Sequence, residues 1–237
     1  DALAMTPLRF AAIATLAGLA QGALVHGVTS LVDRRLRLSS AVRLAELASP
    51  AGSELLARLR SEAPRAWERA QRTAALVETA ARALGVDPLP VRVAALHQDV
   101  GMLRRLEFFE GPRTAEHQAA LTPELCALVE RGHVADSISE CREHDLPECV
   151  AEWIGEHHGT RTMTRWRALA VELRGAENVD ERAFLHAGPS PSSPQGAALY
   201  AANVVLDAGP GAALAQLEAA RAAGGLAASA LSSAGLQ

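Results

Sequence analysis

At 237 residues the chain is long enough for one domain with an appendage or for two small domains. Its 23 Lys+Arg against 27 Asp+Glu give a net charge of −4 and no basic face for duplex DNA or RNA; every basic residue is arginine, which excludes a Schiff-base or P-loop lysine. Three cysteines (Cys126, Cys141, Cys149) without C-x-x-C spacing exclude a disulfide framework and fit a reducing, cytoplasmic setting, while 49% hydrophobic residues with only 3% aromatics favour helices around a core of small side chains.

Residues 10–32 (FAAIATLAGLAQGALVHGVTSLV) carry no charge over 23 positions, enough to span a bilayer as a helix. The basic string Asp33-Arg34-Arg35-Leu36-Arg37 then places the following chain on the cytoplasmic side of an inner-membrane-type bilayer. Two other readings stand beside this one. The run is Ala- and Gly-rich and suits a helix of a soluble bundle, or a cleaved signal peptide, although only Arg9 precedes it. A chain beginning at Asp1 reads as a piece of a longer protein. Residues 39–64 hold short helices around the Ser49-Pro50-Ala51-Gly52 break. Residues 65–84 form one helix with Trp67, Ala70, Ala74, Val77 and Ala81 on one face, ended by Gly85-Val86-Asp87-Pro88. Further helices are expected over 90–105, 122–145, 147–158, 196–208 and 212–223, with a Pro/Ser-rich loop at 185–195. With no period-2 alternation, the fold class is all-α, a bundle of antiparallel helices.

Four features carry chemistry: His97-Gln98-Asp99, His133, His157-His158 and Asn203. Alone, each is weak, because a lone histidine on an apolar helix is more often a satisfied core residue. Together they offer a carboxylate and imidazoles from separate helices, the inventory of a metal site built inside a bundle. His144-Asp145 is also adjacent, but it falls at a helix end and reads as a surface turn.

The strings DVGMLRRLEFF, RGHVADSISECREHDLPE, EHHGT and ENVDERAFLHAGPSPSS, in this order, resemble core segments of the HD-domain metal-dependent phosphohydrolases. More narrowly, they resemble the cytoplasmic domain of the seven-transmembrane-receptor HD proteins, membrane-bound cyclic-di-AMP phosphodiesterases. AGLAQGALVHGVTSLVDRRL resembles that family's last membrane helix, LASPAGSELLARLRSEAP its linker, and GGLAASALSS, loosely, its closing loop. The resemblance implies a membrane helix and basic flank over 1–38, linker helices over 39–64 and an HD-like domain over 65–237. It also implies two metals held by His, His-Asp, His, His-His and a final Asp. Carried over, Asp99, His133, His157 and His158 are kept, whereas Arg69, Gln98 and Asn203 stand at three ligand positions. The three replaced positions all belong to one ion, so the resemblance implies at most one divalent metal (iron, manganese or zinc), or none. His97 is one residue from the replaced ligand but points about 100° away on a helix. Arg69 either faces solvent or lies beside Asp99, supplying the lost positive charge and a phosphate contact. Met102 replaces the family's lysine, and Ser190 and Pro194 stand where cations are expected.

Three functions follow. One is a degenerate HD domain with weak or no hydrolysis and a sensory or regulatory role. Another is an active one-metal phosphohydrolase on a nucleotide or cyclic dinucleotide, with Asp99, Arg69 and His158 at the reacting phosphate. The third is a helical protein used only for contacts. Association with the membrane through 10–32 and a homodimer are compatible with all three.

Overall fold

The computed structural model describes residues 7–36 and 40–222, with side chains over 10–28 and 40–209. The GGLAASALSS string lies outside the described residues. Eleven α-helices occur among the described residues: α1 Pro7–Leu36, α2 Ala41–Leu47, α3 Glu54–Glu62, α4 Pro64–Ala83, α5 Pro88–His97, α6 Leu106–Phe109, α7 Thr114–Ala119, α8 Pro123–Glu143, α9 Glu148–Glu156, α10 Thr164–Arg174 and α11 Pro194–Ala222. No strand forms among the described residues, only an isolated bridge between Thr162 and Leu185. The protein is therefore all-α, as the composition and periodicity lead one to expect.

Several helix starts are written into the sequence. Ser40, Ser53, Asp87 and Thr122 cap α2, α3, α5 and α8 by accepting a backbone N–H two or three residues on. Pro64, Pro88 and Pro123 occupy first helical positions, where no N–H is needed. α4 buries Ala70, Ala74, Val77 and Ala81 on one stripe, with Trp67 packed at its margin. The main core joins that stripe to α5 and to Leu44, Leu47, Leu55, Leu56 and Leu59, so the short helices of 39–64 are built into the same core. A second cluster of Phe108, Cys126, Ala127, Met163, Trp166, Ala170 and Phe184 lies under α8 and α10. In α1, Phe10–Val28 is long and apolar enough to cross a membrane, and its side chains are exposed throughout, with His26 Nε2 reaching Glu46 of α2 at 3.2 Å.

One expected helix is broken. Residues 90–105 do not run through: α5 ends at His97, and Val100–Arg105 is a 3-10 helix. No proline stops the chain here; a tertiary contact does. Gly101 lies so close to α8 that a Cβ would overlap the His133 carbonyl and the Ser137 amide. Ser137 Oγ accepts the Gly101 N–H and donates to the Gln98 carbonyl, both at 2.8 Å, satisfying backbone groups that the break would orphan. The break swings Asp99 toward α8. The 122–145 helix ends at Glu143, and Asp145, at φ 54°, turns the chain, so His144-Asp145 forms a turn. The helices expected at 196–208 and 212–223 join across a kink at Gly209 (φ 73°), and α11 begins at Pro194.

Candidate metal and phosphate site

Asp99, 1% exposed, sits at the break between α5 and the 3-10 turn, and its two carboxylate oxygens face different surroundings. Oδ1 faces His133 from the middle of α8, with Nε2 at 3.6 Å. His157 and His158 follow the end of α9, and ligand atoms of His133, His157 and His158 lie within 4.8 Å of one another. The three imidazoles thus converge, and the carboxylate of Asp99 adjoins them at His133.

The hydrogen bonds set the ring tautomers. Nδ1 of His133 faces the Glu130 carbonyl, and Nδ1 of His157 faces the Ile154 carbonyl at 2.5 Å. A carbonyl accepts only, so each Nδ1 carries a proton, and in the neutral ring each Nε2 holds a bare lone pair. Both Nε2 atoms are buried without a hydrogen-bond partner. Two orphaned lone pairs beside a carboxylate, each ring oriented by a backbone carbonyl, fit a divalent ion with nitrogen and oxygen ligands. His158 differs. Arg161 NH2 donates to its Nδ1 at 3.0 Å, which leaves the proton on Nε2.

The other side of Asp99 is closed. Gln98 Nε2 donates to Asp99 Oδ2 at 3.2 Å and to Asn203 Oδ1 at 3.0 Å, and Asn203 Nδ2 donates back to Gln98 Oε1 at 2.8 Å. Arg69 turns inward from α4: NH2 donates to Asn203 Oδ1 at 3.1 Å, and Nε lies 3.7 Å from Asp99 Oδ2. Burial opposes the Arg69 charge, but Asp99 and Asp207 outweigh it and raise its pKa. Gln98, Asn203 and Arg69 therefore meet as two paired amides and a guanidinium, with a fixed positive charge beside Asp99.

His97 does not join the site. Its Nδ1 bonds the Val93 carbonyl at 2.8 Å and its Nε2 bonds Ser53 Oγ at 2.9 Å, at the start of α3. Three residues without a sequence expectation complete the site. His186 stacks on His158 with ring centroids 4.0 Å apart, held there by the Thr162–Leu185 bridge and the His186 N–H to Arg161 carbonyl bond. Arg161 and Asp207 complete the rim. None stands at a ligand position of the resemblance, although His186 falls within the ENVDERAFLHAGPSPSS string; the pairing of 161–163 with 184–186 brings His186 in. Together with Arg69, Met102, Phe108, Phe109, Trp166 and Tyr200 they line a cleft of about 910 Å³ that opens onto Asp99 and His133.

Burial lowers the pKa of His97 to about 4, of His157 to about 4 despite the Asp99 charge, and of His186 to about 3, with His133 and His157 adding to the last shift. Burial also holds His158 well below its ordinary value. In each case the folded value lies under the unfolded one of about 6.5, so the unfolded chain binds more protons between these limits. Stability is fully present above about pH 6.5 and is lost as pH falls toward about 4. The urea midpoint of chelator-treated protein is expected to drop steadily from pH 7 to pH 4.5; a flat profile would show that these rings are not buried as neutral groups.

No family model matches the chain. It is 32% identical over 196 residues to an uncharacterized Synechocystis protein and 27% identical over 190 residues to the cyclic-di-AMP phosphodiesterase PgpH of Bacillus subtilis, covering 79% of this chain in each case. These alignments cover 24% and 26% of the relatives, so the chain spans about a quarter of their length. The HD domain of Listeria monocytogenes PgpH, solved in complex with cyclic-di-AMP, superimposes with a TM-score of 0.58 at 24% identity, over 66% of this chain and 72% of that one. Without the ligand, the same domain gives a TM-score of 0.56.

Proposed function

We propose, for this PgpH-like member of the HD-domain family, that the chain is a degenerate phosphodiesterase domain that holds one divalent ion at most and binds a cyclic dinucleotide with weak or no hydrolysis. The observation that carries this reading is the asymmetry around Asp99. One oxygen faces Nε2 of His133, and the other is closed by Arg69 and Gln98, which Asn203 ties together. Asp99, His133 and His157 would hold the ion, which would supply Lewis acidity toward a phosphate oxygen. His158, with Nε2–H available, is placed as a donor to the phosphate, and Arg69 supplies charge on the opposite side. A two-ion site divides hydroxide generation and charge stabilisation between its metals. A guanidinium replaces only the charge. Phe109, half-buried at the cleft, suits the face of a nucleobase, with the buried Phe108, Trp166 and Tyr200 packed behind the wall. The exposed apolar α1 and the basic residues after it support attachment to an inner membrane with the HD-like domain in the cytoplasm, and a sensory or regulatory role there.

The test is elemental analysis of the purified chain, followed by calorimetry and a hydrolysis assay with cyclic-di-AMP in manganese, iron or zinc. One ion or less, with saturable binding and negligible linear product, is the expected result. Steady turnover with a single ion would instead establish the one-metal phosphohydrolase, in which Arg69 stands in for the missing metal. Absence of both ion and nucleotide binding would leave a helical contact module.

A further inference from the structure

Asp207 lies on α11, two residues before the Gly209 kink, and its two oxygens are taken by arginines from different parts of the chain. Oδ1 accepts from Arg69 NH2 at 2.8 Å, and Oδ2 accepts from Arg161 NH2 at 3.0 Å. Arg69 comes from α4 and Arg161 from the turn after α9. All three line the cleft beside Asp99 and His158. A carboxylate bridging two guanidiniums in this way resembles in charge and shape the two non-bridging oxygens of a phosphate ester, which arginine forks also recognise.

Neither guanidinium depends on Asp207 for its position. Arg69 is also held by Asn203 Oδ1 and the Asp99 charge. Arg161 is also held by His158 Nδ1 and the carbonyl of His158, and it lies over the Tyr200 ring at 5.5 Å. Asp207 is the most exposed member of the trio, at 36% of its side chain against 30% and 15%. The two arginines are thus preorganised and the carboxylate between them is the part most open to solvent. Preorganised donors lose little on exchanging one anion for another.

We propose that Arg69 and Arg161 form a phosphate-binding pair and that Asp207 is its built-in occupant, displaced when a phosphate ester enters the cleft. The geometry alone gives the ligand class; that the ester belongs to a cyclic dinucleotide rests on the function proposed above. Asp207 then sets a threshold. It lowers the affinity for weakly binding anions while allowing a ligand with further contacts in the cleft to bind.

Inorganic phosphate is the probe, titrated into the full chain in detergent with chelator present and followed by calorimetry. Asp207→Asn removes the competing charge and keeps the shape, and phosphate is expected to bind at least about tenfold more tightly than to the wild type. Adding Arg161→Gln to Asp207→Asn should cancel the gain. Asp207→Ala repeats the measurement should the amide variant fold poorly. Unchanged or weaker phosphate binding in a folded Asp207 variant overturns the proposal, as does a gain that survives the loss of Arg161. Ion content and cyclic-di-AMP binding are measured on the same samples. If both are absent while the phosphate gain appears, the proposed function fails and the anion site stands; if both are present without the gain, the reverse holds.

Discussion

Replacing Arg69→His, Gln98→His and Asn203→Asp together is expected to raise the metal content from one ion or less to about two per chain, measured by elemental analysis after dialysis. The three side chains already meet: Gln98 and Asn203 exchange both amide hydrogen bonds, and Arg69 reaches Asn203 Oδ1 and lies near Asp99 Oδ2. Two imidazoles and a carboxylate placed there would share Asp99 as a common ligand. Each single change should do little, because a divalent ion needs several donors at once. Gln98→His with Asn203→Asp should also fail. With Arg69 in place, the new carboxylate pairs with the guanidinium, and the fixed positive charge repels a second cation. Two ions already present in the wild type, or a triple variant that stays at one, would end the degenerate-site reading.

Which parts of this arrangement could be read in advance follows from how each is held. The α4 stripe, the caps at Ser53, Asp87 and Thr122, and the helix-starting prolines are local features, and local pattern suffices to read them. Asp99, His133, His157 and His158 were legible as a set because their order along the chain resembles a known family, not because any helical period reveals them. The break at Gln98–Asp99 was illegible: residues 90–97 favour a helix, and the interruption is made by Gly101 pressing on Ser137 of α8, thirty-six residues away. His186, Arg161 and Asp207 were missed for a related reason. None stands at a ligand position of the resemblance, and each reaches the cleft through pairing between distant turns or at the far end of an Ala-rich helix. The same holds for α10, in a stretch where the sequence carried no helix expectation, and whose Trp166 forms part of the cleft wall.

Asp99→Asn separates a metal ligand from a structural ion-pair partner by the sign of a stability change. On its Oδ2 side, Asp99 accepts from Gln98 and lies near Arg69. On its Oδ1 side, it faces the bare Nε2 of His133 at 3.6 Å, an acceptor opposite an acceptor. With the ring neutral that contact is unfavourable, and it becomes favourable when a cation, a metal ion or a proton, lies between the two. An asparagine matches both sides without a metal: its carbonyl oxygen takes the place of Oδ2, and its amide points a donor at His133 Nε2. The variant is therefore expected to lose ion affinity by on the order of 100-fold or more, since it removes the one carboxylate ligand. In chelator it should unfold at the same or a higher urea concentration than the wild type, gaining up to about 1 kcal/mol from a satisfied buried pair. If Asp99 served chiefly to neutralise Arg69, the opposite would follow: the chelated variant would be less stable by about 1–3 kcal/mol, through a partly buried guanidinium short of a partner, and ion affinity would hardly change. Denaturation curves in chelator and ion titrations on the same two proteins distinguish the two roles.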